Sequence, residues 1–263
     1  SYSARAPAFV LLAALLLSQR AEAAVRFLLA VGHNQGLEGD VDLRWAEEDA
    51  RRVRELMVEL GSVSRERALL LAGLSSDALP LELARVRGQV EEARRRGEQV
   101  ELFVYYSGHG DEDALRMGGE RYPLSRLEAE LALVPADLVF VLLDACRTSG
   151  PRAGRARGAT KAPPFELSVV RAPSMAGRVR ITSANADEVA QESDDLEGGF
   201  FTHHWLTALR GAGDGDQDGR VTLAEAYRYA QGRTLAQSFG AAPAVQHPQL
   251  DVDLEGDGEV VLT

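Results

Sequence analysis

The sequence predicts an α/β domain in three layers, in which a mostly parallel β-sheet carries helices on both faces. Short apolar runs such as Val100–Tyr106 and Leu138–Leu143 have the length and β-rich composition of strands buried on both faces. Longer segments with helical spacing alternate with these runs, which is typical of parallel sheets. The chain of 263 residues, 45% hydrophobic and 26% charged, fits one sizeable soluble domain.

The first part of the chain predicts two strands, each followed by a helix. Val25–Gly32 is a buried strand that leads into a polar loop. Trp45–Leu60 has helical spacing of its apolar residues, with acidic and basic residues between them. Arg67–Gly73 is predicted as the second strand, and Leu79–Arg96 as a second helix that Gly97 closes.

The middle of the chain continues the alternation. After the strand at residues 100–106, residues 111–122 predict a short hairpin and residues 124–133 a helix. The strand at residues 138–143 follows, and residues 178–183 resume the sheet.

Residues 1–23 have the three parts of a secretory signal. Arg5 precedes the apolar run Ala6–Leu17, and Ala21-Glu22-Ala23 follows as a small-x-small cleavage site. The run is too short for a comfortable membrane span, so we expect no stable span. We therefore expect export of a domain at residues 24–263, to the periplasm or outside the cell. The alternative is an N-terminal helix packed on a cytoplasmic domain.

The net charge disfavours one class of protein, and the cysteine content excludes another. A net charge of −11 disfavours a nucleic-acid-binding surface. A single cysteine excludes an internal disulfide framework.

Residues 150–177 differ from the rest, because they combine several Pro and Gly residues with five basic residues and one acid, Glu166. We predict an exposed, flexible basic linker there.

Two of the predicted strands end in residues suited to nucleophilic catalysis. One runs into Ser107-Gly108-His109-Gly110, and the other into Asp144-Ala145-Cys146-Arg147. Since the carboxyl ends of parallel strands meet at one sheet edge, His109 and Cys146 are expected side by side. A thiolate is the attacking species, and an imidazole can take the thiol proton and return it to a leaving group. The alternative is a buried structural cysteine and a loop histidine that never meet.

The glycines around His109 suit the same chemistry. Gly108 and Gly110 allow a sharp backbone turn and leave room for a substrate chain. The amides of Gly110 and Cys146 are the candidate oxyanion hole for a tetrahedral intermediate.

These motifs resemble those of the caspase-like cysteine peptidases, in particular bacterial members related to metacaspases. Residues 105–110 resemble the histidine motif and residues 144–150 the cysteine motif, within a resemblance that covers Val25–Thr263. It implies a caspase-like fold, a cysteine endopeptidase and a protein or peptide substrate. The chain departs from animal caspases in two ways. Asp144 replaces the Gln of Gln-Ala-Cys-x-Gly, and Cys146 follows His109 by 37 residues, fewer than the roughly 50 of caspases.

The residue before Ala145 suggests a substrate preference. Positions i and i+2 of a strand share a face, so the Asp144 carboxylate is expected in the cleft of the thiol, where it would attract a basic side chain. The resemblance implies that Asp144 lies in the S1 pocket, that Asp49 is its second acid, and that cleavage follows Arg or Lys. It also implies self-cleavage in the basic linker. Two alternatives stay open: Asp144 only bonds loop amides, or Arg147 selects aspartate.

A second motif near the C-terminus predicts a calcium ion. Residues 214–225 fit the twelve-residue EF-hand loop between helical segments at residues 200–210 and 223–237. The candidate ligands are Asp214, Asp216, Asp218, the Arg220 carbonyl, Thr222 and Glu225, with Gly219 at the sixth position. Because no second loop matches, a structural site is one expectation, and a calcium switch of the enzyme is the other. The alternative is an acidic loop that only caps a helix.

Two other functions remain open at this stage. One is a catalytically silent caspase-like scaffold that binds a partner, and the other is a calcium-binding interaction protein.

For the remaining histidines, such as His33 at the end of the first strand, we favour structural roles over contact with substrate. The sequence predicts no particular oligomeric state.

Overall fold

The computed structural model describes residues 24–147, 176–184, 188, 190–241, 245–255 and 259–263. The predicted leader at residues 1–23 lies outside this part of the chain. So does the predicted basic linker at residues 150–177, except for its last two residues. Among the described residues, no helix is long and apolar enough to cross a membrane.

Strands and helices alternate as the apolar pattern predicts. The strands are β1 Val25–His33, β2 Val63–Ala72, β3 Val100–Gly110, β4 Ala114–Met117, β5 Glu120–Pro123, β6 Leu138–Arg147, β7 Ala176–Thr182, β8 Glu192–Ser193, β9 Gly198–Gly199 and β10 Gln249–Glu255. The helices are α1 Ala46–Glu59, α2 Ala78–Arg95, α3 Leu124–Ala132, α4 Phe200–Thr207 and α5 Leu223–Ala241, with a π-helical turn at Ala208–Ala212.

The main sheet is parallel through its centre. Its strand order is β10-β7-β6-β3-β1-β2, and each neighbouring pair from β7 to β2 is parallel. Strand β10 is antiparallel to β7, and the β4–β5 hairpin is antiparallel to the end of β3. The predicted α/β architecture with a mostly parallel sheet is therefore confirmed.

Each face of the sheet carries its own helices. Phe103 and Tyr105 of β3 join a cluster with residues of α1, α4 and α5. Val104 and Tyr106 point the other way and join a cluster with residues of α2 and α3. Successive side chains of a strand alternate between faces, so a continuous apolar run feeds both clusters and produces three layers.

Several element boundaries differ from the sequence-based prediction. Strand β2 begins at Val63 rather than Arg67, and the helix predicted to reach Arg210 ends at Thr207 in the π-helical turn. Strand β10 and the β8–β9 hairpin were not predicted. Two of the three acids of β10 lie opposite arginines of β7, Asp251 opposite Arg180 and Asp253 opposite Arg178. Edge strands often carry such charges, which weaken the apolar signal of a strand.

Candidate active site

The two residues of the predicted dyad are register partners on neighbouring strands. Strands β3 and β6 are parallel, with Tyr105 opposite Leu142 and His109 opposite Cys146. Both strands end within one or two residues of this pair. The fold thus brings His109 and Cys146 to the same position at the carboxyl edge of the sheet, where parallel α/β sheets hold their ligands.

The imidazole of His109 is fully buried. Neither ring nitrogen has a well-aligned hydrogen-bond partner in the described part of the chain, although the Asn34 and Val41 carbonyls lie near the ring. Burial lowers the pKa of His109 and the nearby Arg116 guanidinium lowers it further, while the Asp40 carboxylate and the Asn34 and Val41 carbonyls raise it. The lowered pKa favours the neutral imidazole, which is the form that accepts a proton from a thiol.

The backbone of His109 is fixed by a neighbouring phenol. The Tyr106 hydroxyl is 2.7 Å from the His109 carbonyl oxygen and 3.1 Å from that of Arg116. It therefore joins the end of β3 to β4, which pairs with it. Tyr106 is itself buried among the side chains under α2 and α3, so its hydroxyl is held in place by the core.

The loop after β1 packs against the His109 ring. A methyl group on Gly36 would lie 2.8 Å from His109 Cδ2 and 2.4 Å from Asp40 Oδ2, so only glycine fits between them. The Leu37 amide donates to Asp40 Oδ2 at 2.8 Å. Arg116 Nη1 lies 3.1 and 3.2 Å from the two Asp40 oxygens. Asp40 was not predicted, because nothing in a polar loop marks it as a neighbour of His109.

The two predicted pocket acids lie close together. Asp144 is 5% exposed and Asp49 is 1% exposed. A methyl group on Gly199 would lie 2.8 Å from Asp144 Oδ2 and 3.3 Å from Asp49 Oδ2. Both carboxyl groups therefore face the same glycine backbone, and we call them the acid pair.

Residues at the start of α4 hold the acid pair. The Gly199 amide donates to Asp49 Oδ2 at 2.8 Å. The Thr202 hydroxyl donates to Asp144 Oδ2 at 2.6 Å, and the Tyr105 hydroxyl lies 2.7 Å from the Thr202 oxygen. Asp144 therefore accepts a hydrogen bond from a side chain of α4, so its partners are not limited to loop amides.

Burial disfavours a negative charge on either carboxyl group of the acid pair. It raises the pKa of Asp49 to about 8; the Gly199 amide opposes this, and the charges of Asp144 and Glu192 add to it. Burial also raises the pKa of Asp144, against the bonds from Ser183 and Thr202. A cation placed between the two carboxyl groups would offset both effects.

Glu192 is a third acid near the pair, and it was not predicted from the sequence. Its carboxylate accepts hydrogen bonds from the Arg44 and Trp45 amides, both at 3.1 Å. These amides lie at the N-terminus of α1, whose dipole favours an anion there. Burial raises the pKa of Glu192, and the charge of Asp144 contributes.

Gly110 is the last residue of β3. In the register it lies opposite Arg147 of β6 and opposite Leu115 of β4. A methyl group on Gly110 would lie 3.0 Å from Ala145 Cβ, so the strands approach closely here. The oxyanion roles of the Gly110 and Cys146 amides stay predictions.

The predicted calcium loop brings oxygen ligands together. Carboxylate oxygens of Asp214, Asp216 and Asp218 all lie within 4.8 Å of one another. Asp214 Oδ1 is buried without a partner among the described residues. Clustered carboxylate oxygens are the donors that calcium prefers, so this part of the loop fits the ion.

The twelfth residue of the loop bonds the loop itself. Glu225 accepts from the Gly215 amide at 2.9 Å and from the Thr222 amide and hydroxyl at 3.0 and 2.8 Å. These bonds lower the pKa of Glu225 to about 2. The Arg220 amide donates to Asp218 Oδ1 at 2.8 Å. Glu225 would have to exchange these donors for a metal ion.

His33 belongs to the packing of the loops. It is 4% exposed, and its ring nitrogens each lie 2.9 Å from a carbonyl oxygen, those of Gln35 and Leu74. This arrangement fits the structural role that we favoured for it.

Comparisons with known proteins agree on the fold. The family profile described as the caspase domain matches residues 25–251. Among solved structures, caspase-1 from Spodoptera frugiperda is similar over 87% of each chain, with 12% sequence identity and a TM-score of 0.58. The structure of pro-sf-caspase-1 is similar over the same shares, with 14% identity and a TM-score of 0.58. No curated protein sequence matches the chain. At these identities the structural likeness concerns the fold alone.

Proposed function

The chain belongs to the caspase-domain family, and from its site we propose that it is a cysteine endopeptidase that cleaves peptide bonds after Arg or Lys. The observation that carries the proposal is the register of His109 with Cys146 at the carboxyl edge of adjacent parallel strands. Such a register supplies a nucleophile and a base within one site.

The proposed reaction follows from the two residues. His109 takes the Cys146 proton, and the thiolate attacks the carbonyl carbon of the scissile bond. The amides of Gly110 and Cys146 stabilise the oxyanion that forms. His109 then gives its proton to the departing amine, which leaves a thioester on Cys146. Water, deprotonated by His109, hydrolyses this thioester and releases the acid product.

The acid pair supports the preference for a basic residue. An Arg or Lys side chain near Asp49 and Asp144 would compensate two buried carboxyl groups, whereas an acidic side chain would add a further negative charge. Glu192 adds a third acid to the same region. The basic linker at residues 150–177 offers several Arg residues, and we propose that the enzyme cleaves itself there.

We also propose calcium binding at residues 214–225. Carboxylate oxygens would come from Asp214, Asp216, Asp218 and Glu225. Arg220 would provide its carbonyl oxygen, and Thr222 occupies the ninth loop position, which is often filled through a water molecule. Bound calcium would neutralise the clustered carboxylates. If residues 1–23 act as a secretory signal, the peptidase works outside the cytoplasm.

Peptide cleavage tests the proposal. The full chain, its Cys146→Ala variant and its His109→Ala variant are assayed with fluorogenic peptides that carry Arg, Lys or Asp before the scissile bond. We expect cleavage after Arg and Lys that both substitutions abolish. Cleavage after Asp would overturn the specificity, and absence of cleavage by a folded, linker-cleaved protein would favour a binding scaffold.

Calcium is tested separately from activity. Titration calorimetry with calcium and thermal unfolding with calcium or chelator report binding by the folded chain. Equal unfolding temperatures and no binding heat would overturn the calcium site and leave the peptidase untouched.

A further inference from the structure

A row of alternating charges reaches His109 from the surface. Arg116 of β4 faces His109 of β3 across the antiparallel pair. Its Nη1 binds both oxygens of Asp40, while its Nε and Nη2 bind Asp111 Oδ2 at 3.1 and 3.0 Å. Arg121 Nη2 in turn binds Asp111 Oδ1 at 2.9 Å. We call Arg121, Asp111, Arg116 and Asp40 the charge row.

The inner half of the charge row is largely removed from water. The side chains of Arg116 and Asp40 are 13% and 10% exposed, whereas that of Arg121 is 47% exposed. Burying an ion pair costs about as much in lost hydration as the attraction returns. The presence of a buried Asp–Arg pair is therefore weak evidence of a role in stability alone.

Asp40 lies near enough to His109 to act on its charge. Both side chains pack against Gly36, from which a methyl group would be within 3 Å of each. An anion at such a separation favours a protonated imidazole, and a cation beyond it weakens this effect. The Asn34 and Val41 carbonyls face the same ring, and Cys146 is the titratable residue in register with it.

We propose that Asp40 and Arg116 are positioning residues for His109. Asp40 stabilises the imidazolium that forms when His109 takes a proton, and Arg116 holds Asp40 in place while limiting its effect. His109 then remains able to pass the proton on to a leaving amine. The kinetic consequence rests on the proposed peptidase function, but the charge coupling itself does not.

Proton titration of His109 tests the coupling directly. In the full chain carrying Cys146→Ala, the His109 ring signal is followed by NMR against pH and assigned by comparison with His109→Gln. Asp40→Asn removes the anion and is expected to lower the His109 titration midpoint. Arg116→Gln removes the cation and is expected to raise it. A loss of packing alone would not produce shifts of opposite sign.

Two further variants separate charge from shape and position. Asp40→Glu keeps the charge and is expected to titrate near the parent, whereas Asp40→Asn keeps the shape and is not. Arg121→Gln removes the same charge from the outer end of the row and is expected to leave the midpoint nearly unchanged. Circular dichroism and thermal unfolding verify that each variant is folded.

The proposal fails if folded Asp40→Asn titrates like the parent, or if Asp40→Asn and Asp40→Glu shift alike. If the chain cleaves peptides, Asp40→Asn should also reduce kcat about tenfold with KM unchanged, a part of what acid–base catalysis contributes. If it cleaves none, the titration still decides the coupling, so failure of the peptidase proposal is distinguishable from failure of this one.

Discussion

Asp49 should make the protein less stable as the pH rises, and Asp49→Asn should remove this effect. The pKa of its carboxyl group is 3.8 in ordinary surroundings and about 8 in the folded chain. Between these values the folded chain keeps a proton that the unfolded chain has released, so stability falls as pH increases. Above about pH 8 the loss is complete.

The magnitude follows from the size of this difference. Each pH unit between the two pKa values corresponds to about 1.4 kcal/mol. From pH 5 to pH 8, wild-type protein should therefore lose up to about 4 kcal/mol relative to Asp49→Asn. Part of this loss is relieved if the site relaxes or admits water, so we expect about 2 to 4 kcal/mol.

Urea unfolding at several pH values between 5 and 8 measures the effect. The free energies of unfolding of wild-type protein and Asp49→Asn should diverge as the pH rises, with the variant more stable at pH 8. Glu55→Gln is the matched control, since Glu55 is an exposed acid on the same helix. Parallel curves for wild-type protein and Asp49→Asn would refute the assignment of Asp49 as a buried, protonated acid.

Three other substitutions give separate outcomes. Gly36→Ala should push the loop away from His109 and reduce kcat about tenfold, because its methyl group meets the ring; an unchanged kcat in a folded variant contradicts the packing. Thr202→Val removes a donor from Asp144 and should destabilise the chain by about 1 to 3 kcal/mol in urea unfolding, with KM for Arg peptides raised; wild-type values would contradict this bond. Asp218→Asn should weaken calcium binding in calorimetry, and unchanged affinity would place any calcium elsewhere.

The sequence was sufficient to predict the parallel centre of the sheet and the edge at which His109 and Cys146 lie. Apolar runs long enough for buried strands lead into His109 and Cys146, so periodicity and parallel pairing place both residues at one edge. Asp144 was predicted from strand alternation, and Asp49 only through the family resemblance. Both carboxyl groups lie beside Gly199, and their role in a substrate pocket stays a prediction.

Contacts between distant segments could not be predicted from the sequence. Gly199 donates to Asp49 across 150 residues, and Arg116 binds Asp40 across 76. Neither partner carries a local pattern that marks the other. Glu192 similarly accepts a hydrogen bond from the Trp45 amide, at the N-terminus of a helix that lies far away in the chain. A single sequence shows periodicity within an element, but it does not show which loop packs against which strand.

The parallel centre of the sheet also sets the order in which the site can assemble. Strand β3 pairs with β1 only after two helices and another strand separate them, with Val100 opposite Val25. Pairings between distant segments are slow, because loop closure comes before the contacts that reward it. The edge carrying His109 and Cys146 can form from residues 25–147, whereas Asp49 and Asp144 gain their donors only with Gly199 and Thr202. During synthesis, the strands that carry His109 and Cys146 can therefore pair before the residues that bond Asp49 and Asp144 have been made.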